Sequence, residues 1–388
     1  MQRSDRRDPL AAARNLGPAI AAAADTIEAT RRLPASLLAS LHGARLTRML
    51  LPRSVDGDQT EPTAYVQAIE EIGRHDASVA WNVFVANSAA LIAAFLEPAV
   101  ARTIFADPAT LLAWGPPNTS RAKAVAGGYR VTGRWDFASG CRNANWMGAH
   151  CQVVGSDGSL RLNRYGRPAI RSLLFPAEQA TLIDNWHTIG LRGTASDGYS
   201  VTDLFVPEAF STTREEPELR REPGPLYAFP MQGLYAVGVA GVALGIARAM
   251  LETFIDLACR KAPRGLERLA DSAAVQGDVA RAEAKLAAAR AYLLDTLGTI
   301  YAGADEREPI GVPDRARVRL AATNAIHGAI EVADYTYKAA GVDAIFPGSP
   351  FERRFRDMHT LSQQIQSRTA HFEAVGQVLL GTPPEVFY

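Results

Sequence analysis

The hydrophobic periodicity of this chain changes twice. Helical spacing runs from Pro9 to about Phe105 and strand-like alternation from about Asp107 to Ser211; helical spacing returns after a charged, Pro-rich linker at 211–225. A period near 3.6 and a period of 2 bury different sets of side chains, so this order predicts an α domain, a β domain and an α bundle. In the first part, Leu37, Leu38 and Leu41 share a face, Pro62 is placed to open a helix carrying Tyr65, Ile69 and Ile72, and Asp76-Ala-Ser78 reads as a break with a new N-cap. In the middle, Tyr129–Phe137 alternates, and Cys151–Val154, Ser172–Phe175 and Tyr199–Val206 read as further strands. In the last part, Gly233, Gly241 and Gly245 lie on one helical face where another helix can approach. Runs from Arg281 to Tyr301 and from Asp314 to Ala340 follow, then a final helix from about Phe351 to Leu380. The expected domains are 1–106, 107–211 and 212–388.

Composition removes several function classes. With 388 residues, 47% of them hydrophobic, a large packed core is feasible. Lys+Arg and Asp+Glu are both 41, which argues against a nucleic-acid surface. Cys141, Cys151 and Cys259 form no CxxC, and the seven His form no HxxxH, so no metal site is expected. The apolar run at Pro225–Leu251 is interrupted by Gly and Pro and reads as a packed soluble helix, not a membrane span. The Arg-rich start lacks the apolar run of a targeting peptide, which leaves a reducing cytoplasm as the expected location. There is no GxGxxG after a strand, no phosphate-binding GxxxxGK[ST] and no GxSxG.

Two β-domain segments carry chemistry. In Gly133–Trp146 a strand rich in aromatics ends in the Ser139-Gly140 turn, which can aim a hydroxyl and backbone N–H groups at a planar heterocycle while Trp covers its face. In Trp186–Gly198 small hydroxyl residues and glycines let the backbone approach a ligand. An ordinary strand end and an ordinary inter-strand loop are the competing readings.

Taken in order, these segments resemble the acyl-CoA dehydrogenase superfamily. The resemblance rests on Trp135-x-Phe-x-Ser-Gly140, Gly190-Leu-Arg-Gly-Thr-x-Ser196, Asp203-Leu-Phe-Val-Pro-Glu208, Gly245-Ile-Ala-Arg248 and Arg354-Phe-Arg-Asp357 within the helical–β–helical order. It implies an α+β fold with an N-terminal helical domain, a middle β-barrel against a flavin, and a C-terminal four-helix bundle that builds a homotetramer. It implies cofactor contacts from Trp114, Ser139, Gly140, Trp146, Gly193, Thr194, Ser196 and, at a phosphate, Arg260. Trp81 and Asn87 could line the substrate pocket, although core packing explains Trp81 equally well.

A dehydrogenase of this superfamily needs a carboxylate to remove an α-proton. The family carries it after the last-helix motif or on the first bundle helix. Here Met358–Phe372 and Gly224–Leu251 contain no Asp or Glu. The pattern resembles instead the branch of two-component monooxygenases, similar to hydroxyphenylacetate hydroxylase and dibenzothiophene monooxygenase. The resemblance implies reduced flavin (FMN or FAD) from a separate reductase, O2, a C4a-hydroperoxyflavin protected by Ser139 near flavin N5, and a small aromatic or heteroaromatic substrate. His359 matches the first of two His that this branch often carries, and Gln364 stands at the second. His359 and Gln364 are therefore the catalytic candidates beside Ser139, with Gln363 near the substrate. The alternatives are an acyl-CoA dehydrogenase with a displaced base such as Glu373, and a non-catalytic flavin-fold protein.

Overall fold

Proline and aspartate set helix limits where the sequence places them. The computed structural model describes residues 8–213, 216–265 and 267–382, so most of the Arg-rich start and Arg214 and Glu215 of the linker lie outside the described residues. Five helices come first: α1 (Pro9–Thr30), α2 (Ala35–Gly43), α3 (Pro62–His75), α4 (Ala77–Ala90) and α5 (Pro98–Phe105). Pro62 occupies the first turn of α3, where its missing N–H leaves no bond unmade. The Asp76 carboxylate caps α4 by accepting from the Val79 N–H at 2.9 Å.

Strands β1 (Leu112–Trp114), β2 (Arg121–Val125), β3 (Gly128–Trp135), β4 (Trp146–Val154), β5 (Ile170–Pro176), β6 (Thr181–Ile183), β7 (Gly198–Pro207) and β8 (Ser211–Thr212) follow. They form one sheet in the order β6-β7-β3-β2-β4-β5-β8, with β1 parallel to β4. Among the described residues β6 and β8 do not pair with each other, so the expected barrel is an open sheet. Trp135, stacked on Tyr199 with ring centroids 5.3 Å apart, anchors its apolar face.

The C-terminal part holds α6 (Met231–Arg260), α7 (Ala273–Gly303), α8 (Val312–Ala340), α9 (Pro350–Ser362) and α10 (Ala370–Leu379). The expected last helix is thus two short ones. The break falls at Gln364, whose backbone is extended and whose side chain accepts from the Gln366 N–H, opening a separate 3₁₀ turn at Ile365–Ser367. In the C-terminal part three long helices, α6, α7 and α8, pack together with the shorter α9 and α10 against them.

The glycine stripe of α6 meets α3 of the same chain. A Cβ on Gly245 would lie 2.4 Å from the Glu70 carbonyl oxygen, and one on Gly241 3.1 Å from Ile69. Gly233 faces Val318 on α8 instead. The stripe therefore welds the two helical parts into one core, which runs through α1 to α4 and α6 to α9. Ala77–Phe95 is a second segment, beside α6, that is long and apolar enough to cross a membrane; the apolar window of each is 89% buried in this core.

Candidate functional site

Ser139 sits where the end of β3 turns back towards the α4 side of the molecule. Phe137 and Gly140 hold positive φ angles of 62° and 78°, and Phe137 is 63% exposed, with its ring edge-on to Trp186. An exposed aromatic in the left-handed region is costly for a β-substituted residue and persists because its neighbours are pinned. The pins are backbone bonds to the 190–197 loop: Ala138 N–H to the Asp197 carbonyl at 3.0 Å, and Gly140 N–H to the Thr194 carbonyl at 2.9 Å. The two segments singled out separately in the sequence are one site.

Four side chains then form an unbroken line. The Trp81 indole N–H donates to the Ser139 hydroxyl at 3.1 Å; Ser139 and Ser196 hydroxyls lie 2.7 Å apart, as do those of Ser196 and Thr194; Thr194 donates to the Leu191 carbonyl at 2.8 Å. Thr194 and Ser196 are buried and Ser139 is half-buried. Gly193 is required by packing: a Cβ there would lie 2.1 Å from Ile27 Cγ2. Its carbonyl accepts from the Asn82 amide at 3.0 Å, tying α4 to the loop.

From Trp81 an aromatic wall continues. Trp81 meets Phe84 at 4.8 Å and Phe84 meets Tyr235 of α6 at 5.0 Å, both edge-on. Burial pushes the Tyr235 phenol well above its ordinary pKa, opposed by a hydrogen bond with Gln364. Contacts thus lead from Ser139 to Gln364 through side chains of four different elements. A cleft with about 350 Å³ of empty space, part of it open to solvent, borders Ser139, Gly140 and Asn82.

A second anchor fixes the loop from the bundle side. The Leu191 N–H donates to the Asp357 carboxyl at 2.6 Å, and a Cβ on Gly190 would lie 2.2 Å from the Arg356 carbonyl oxygen. Burial pushes the Asp357 carboxyl up to about 7, with the nearby Asp76 adding to the rise and the Leu191 hydrogen bond opposing it. Asp76 is itself pushed up to about 6 by burial. Both line a polar cavity with Asp25, Glu28, Arg353 and Arg356.

The remaining predicted residues separate from this line. Trp114 packs edge-on to His150 at 4.8 Å and Trp146 stacks on Phe210 at 5.8 Å, in the apolar layer between the first helices and the sheet. The indole touching Ser139 is Trp81; Trp114 and Trp146 do not contact that hydroxyl. Asn87 is fully buried and braces the chain: its amide donates to the Leu46 and Val83 carbonyls at 2.7 and 2.8 Å and accepts from the Leu50 N–H at 3.0 Å. The asparagine of α4 that borders the cleft is Asn82, five residues earlier. Arg260 is exposed at the end of α6 and donates to the Asp256 carbonyl of its own helix. Gln363 is exposed. His359 bonds Asp334 of α8 at 3.0 Å and lies against Phe355, off the Ser139–Gln364 line. Asp334 and Tyr235 have no motif signal, and their roles arise only from long-range packing; Phe137 stands inside the Trp135-x-Phe-x-Ser-Gly140 motif. Among the described residues no cluster of His, Cys, Asp and Glu could hold a metal ion.

Comparison with known proteins agrees with this architecture. The acyl-CoA dehydrogenase N-terminal domain matches residues 11–106, and the acyl-CoA dehydrogenase C-terminal domain matches residues 237–368. The chain belongs to the acyl-CoA dehydrogenase family. This family member is 29% identical over 339 residues to an indole-3-acetate monooxygenase of Pseudomonas putida, covering 87% of this chain and 84% of that protein. It is 28% identical over 380 residues to the oxygenase component of an FADH(2)-dependent resorcinol hydroxylase of Rhizobium sp., covering 93% and 91%. Its fold matches XiaF from Streptomyces sp., solved in complex with FADH2 and glycerol, at a TM-score of 0.90 and 24% identity, covering 98% and 97%.

Proposed function

We infer that this chain is the oxygenase component of a two-component flavin-dependent monooxygenase. It takes reduced flavin, FMN or FAD, from a separate reductase, and with O2 it oxygenates a small aromatic or heteroaromatic substrate. The observation that carries the reading is the absence of both carboxylates that a dehydrogenase of this family needs: Met358–Phe372 contains no Asp or Glu, and α6 has no acid before Glu252. The displaced-base alternative is weakened by the break after α9, which leaves Glu373 exposed in the first turn of α10.

The residues present fit a flavin. An acceptor hydroxyl on a pinned turn, beside an exposed aromatic ring and a glycine, suits the edge of a planar heterocycle bearing N–H groups. Reduced flavin, when bound, supplies the electrons that activate O2. Ser139 and Phe137 would hold the ring edge, with Gly140 permitting close approach. Thr194 and Ser196 support Ser139 from below. Phe84, Tyr235 and Gln364 shape an aromatic substrate's side and exclude water. His359, oriented by the Asp334 carboxylate, is the group able to hold or move a proton. Cytoplasmic location, the domain division at 106/107 and 211/212, and a homotetramer that brings Arg260 to a neighbour's flavin phosphate complete the proposal.

The test supplies the protein with a generic flavin reductase, NADH, either flavin, and a panel of phenols and indoles under ¹⁸O2. One ¹⁸O atom in a product supports the reading. Anaerobic bleaching of bound flavin by acyl-CoA thioesters, with no labelled product, would replace it by a dehydrogenase.

A further inference from the structure

Counting hydrogens along the line from Trp81 to Leu191 gives it a direction. A carbonyl oxygen only accepts, so the single hydroxyl hydrogen of Thr194 is used on Leu191 at 2.8 Å. The 2.7 Å contact between Thr194 and Ser196 then requires Ser196 to donate. The 2.7 Å contact between Ser196 and Ser139 in turn requires Ser139 to donate. Trp81, whose indole N–H can only donate, already fills one of the two Ser139 lone pairs at 3.1 Å. Ser139 therefore offers a ligand one lone pair and no hydrogen. The order is set from the buried end, and both Thr194 and Ser196 are buried.

We propose that Ser196 and Thr194 are positioning residues that fix Ser139 as an obligate acceptor and thereby make the site discriminate between the redox states of a flavin. This rests on the proposed reading that Ser139 meets the central ring nitrogens. The reduced isoalloxazine carries a ring N–H donor there, where the oxidised ring presents an acceptor. An acceptor facing an acceptor in a half-buried site leaves both groups unpaired, which costs more than an absent bond. The reduced form is held by the hydroxyl line and the oxidised product is released by it. Sequence motifs alone assign all three hydroxyls to direct cofactor contact; the burial of Thr194 and Ser196 assigns them to the support of Ser139.

The experiment measures dissociation constants of FMN and FAD, oxidised in air and dithionite-reduced under anaerobiosis, for the full chain and for Ser196→Ala, Thr194→Val and Thr194→Ser. The expected oxidised-to-reduced ratio for the parent is about tenfold or more. In Ser196→Ala and in Thr194→Val the Ser139 hydroxyl is free to turn outward and donate, so the ratio falls towards one. Thr194→Ser keeps a hydroxyl and restores the parent ratio, which a merely structural contribution would not do. The melting midpoint of each flavin-free variant separates folding loss from the ratio. Equal affinity of the parent for both redox states, or an unchanged ratio in both line-breaking variants, overturns the inference and leaves the flavin reading standing. Failure of the parent to bind either form overturns the flavin reading itself.

Discussion

Replacing Asp357 by Asn removes an ionisable carboxyl from the junction of α9 with the 190–197 loop and keeps the hydrogen-bond acceptor for Leu191. In the folded chain burial and Asp76 push this carboxyl from the usual 3.8 to about 7. A tenfold change in a proton-binding constant is worth about 1.4 kcal/mol, so a rise of this size links about 4 kcal/mol of stability to pH. The sign follows from the protons bound in each state. Between about pH 4 and pH 7 the folded state holds a proton that the unfolded chain has released. Stability from this group is full below about pH 4, declines as pH rises through that window, and is level above it. Asn cannot ionise, so D357N loses this slope and gains most on the parent at about pH 8. Asp76, pushed up to about 6, leaves a smaller slope of the same sign in both proteins. Urea denaturation of the flavin-free protein from about pH 5 to about pH 8 measures the difference. Parallel stability profiles for parent and variant would refute a buried, proton-holding Asp357.

Three other substitutions probe separate joints. Gly190→Ala drives a Cβ to 2.2 Å from the Arg356 carbonyl oxygen; the expected loss is about 1–3 kcal/mol in thermal unfolding, and weaker flavin binding as the loop lifts from α9. Trp81→Phe keeps a ring against Phe84 but removes the N–H donor to Ser139. Stability should fall by about 1 kcal/mol, while the share of NADH electrons recovered as hydrogen peroxide rises. His359→Ala should leave flavin affinity unchanged and slow product formation by about two to four powers of ten; normal turnover with altered flavin affinity would move His359 from proton transfer to packing.

The sequence carried the large divisions of this molecule because they are periodic. Helix and strand regions, the Pro62 start, the Asp76 cap and close packing at Gly241 and Gly245 all follow from local spacing. The open sheet was not legible, since its path depends on β1, β6 and β8, which are three, three and two residues long and show no alternation. Nor was the break between α9 and α10. It contains no Pro or Gly and is made by the Gln364 side chain. At the site, the Ser139 turn and the 190–196 loop were visible as motifs, but their joining was not. Trp81 lies 58 residues before Ser139, and only the fold turns its indole N–H towards that hydroxyl. The packing partners of Trp114 and Trp146, His150 and Phe210, were not legible either, because they lie 36 and 64 residues away and only the fold brings them together. Asn87 was conspicuous for its polarity, and its partners turned out to be backbone.

The most direct measurement mixes the anaerobic complex of this chain and reduced flavin with oxygenated buffer in a stopped-flow spectrophotometer. For an oxygenase component, the absorbance of oxidised flavin returns only after a resolved earlier phase. Ser139→Ala should shorten that phase and raise the peroxide yield per folded enzyme, with a stability loss at least that of Trp81→Phe, since it breaks the bonds to both Trp81 and Ser196. A single-phase return of oxidised flavin, with one peroxide per flavin and the same rate in Ser139→Ala, would contradict the oxygenase reading.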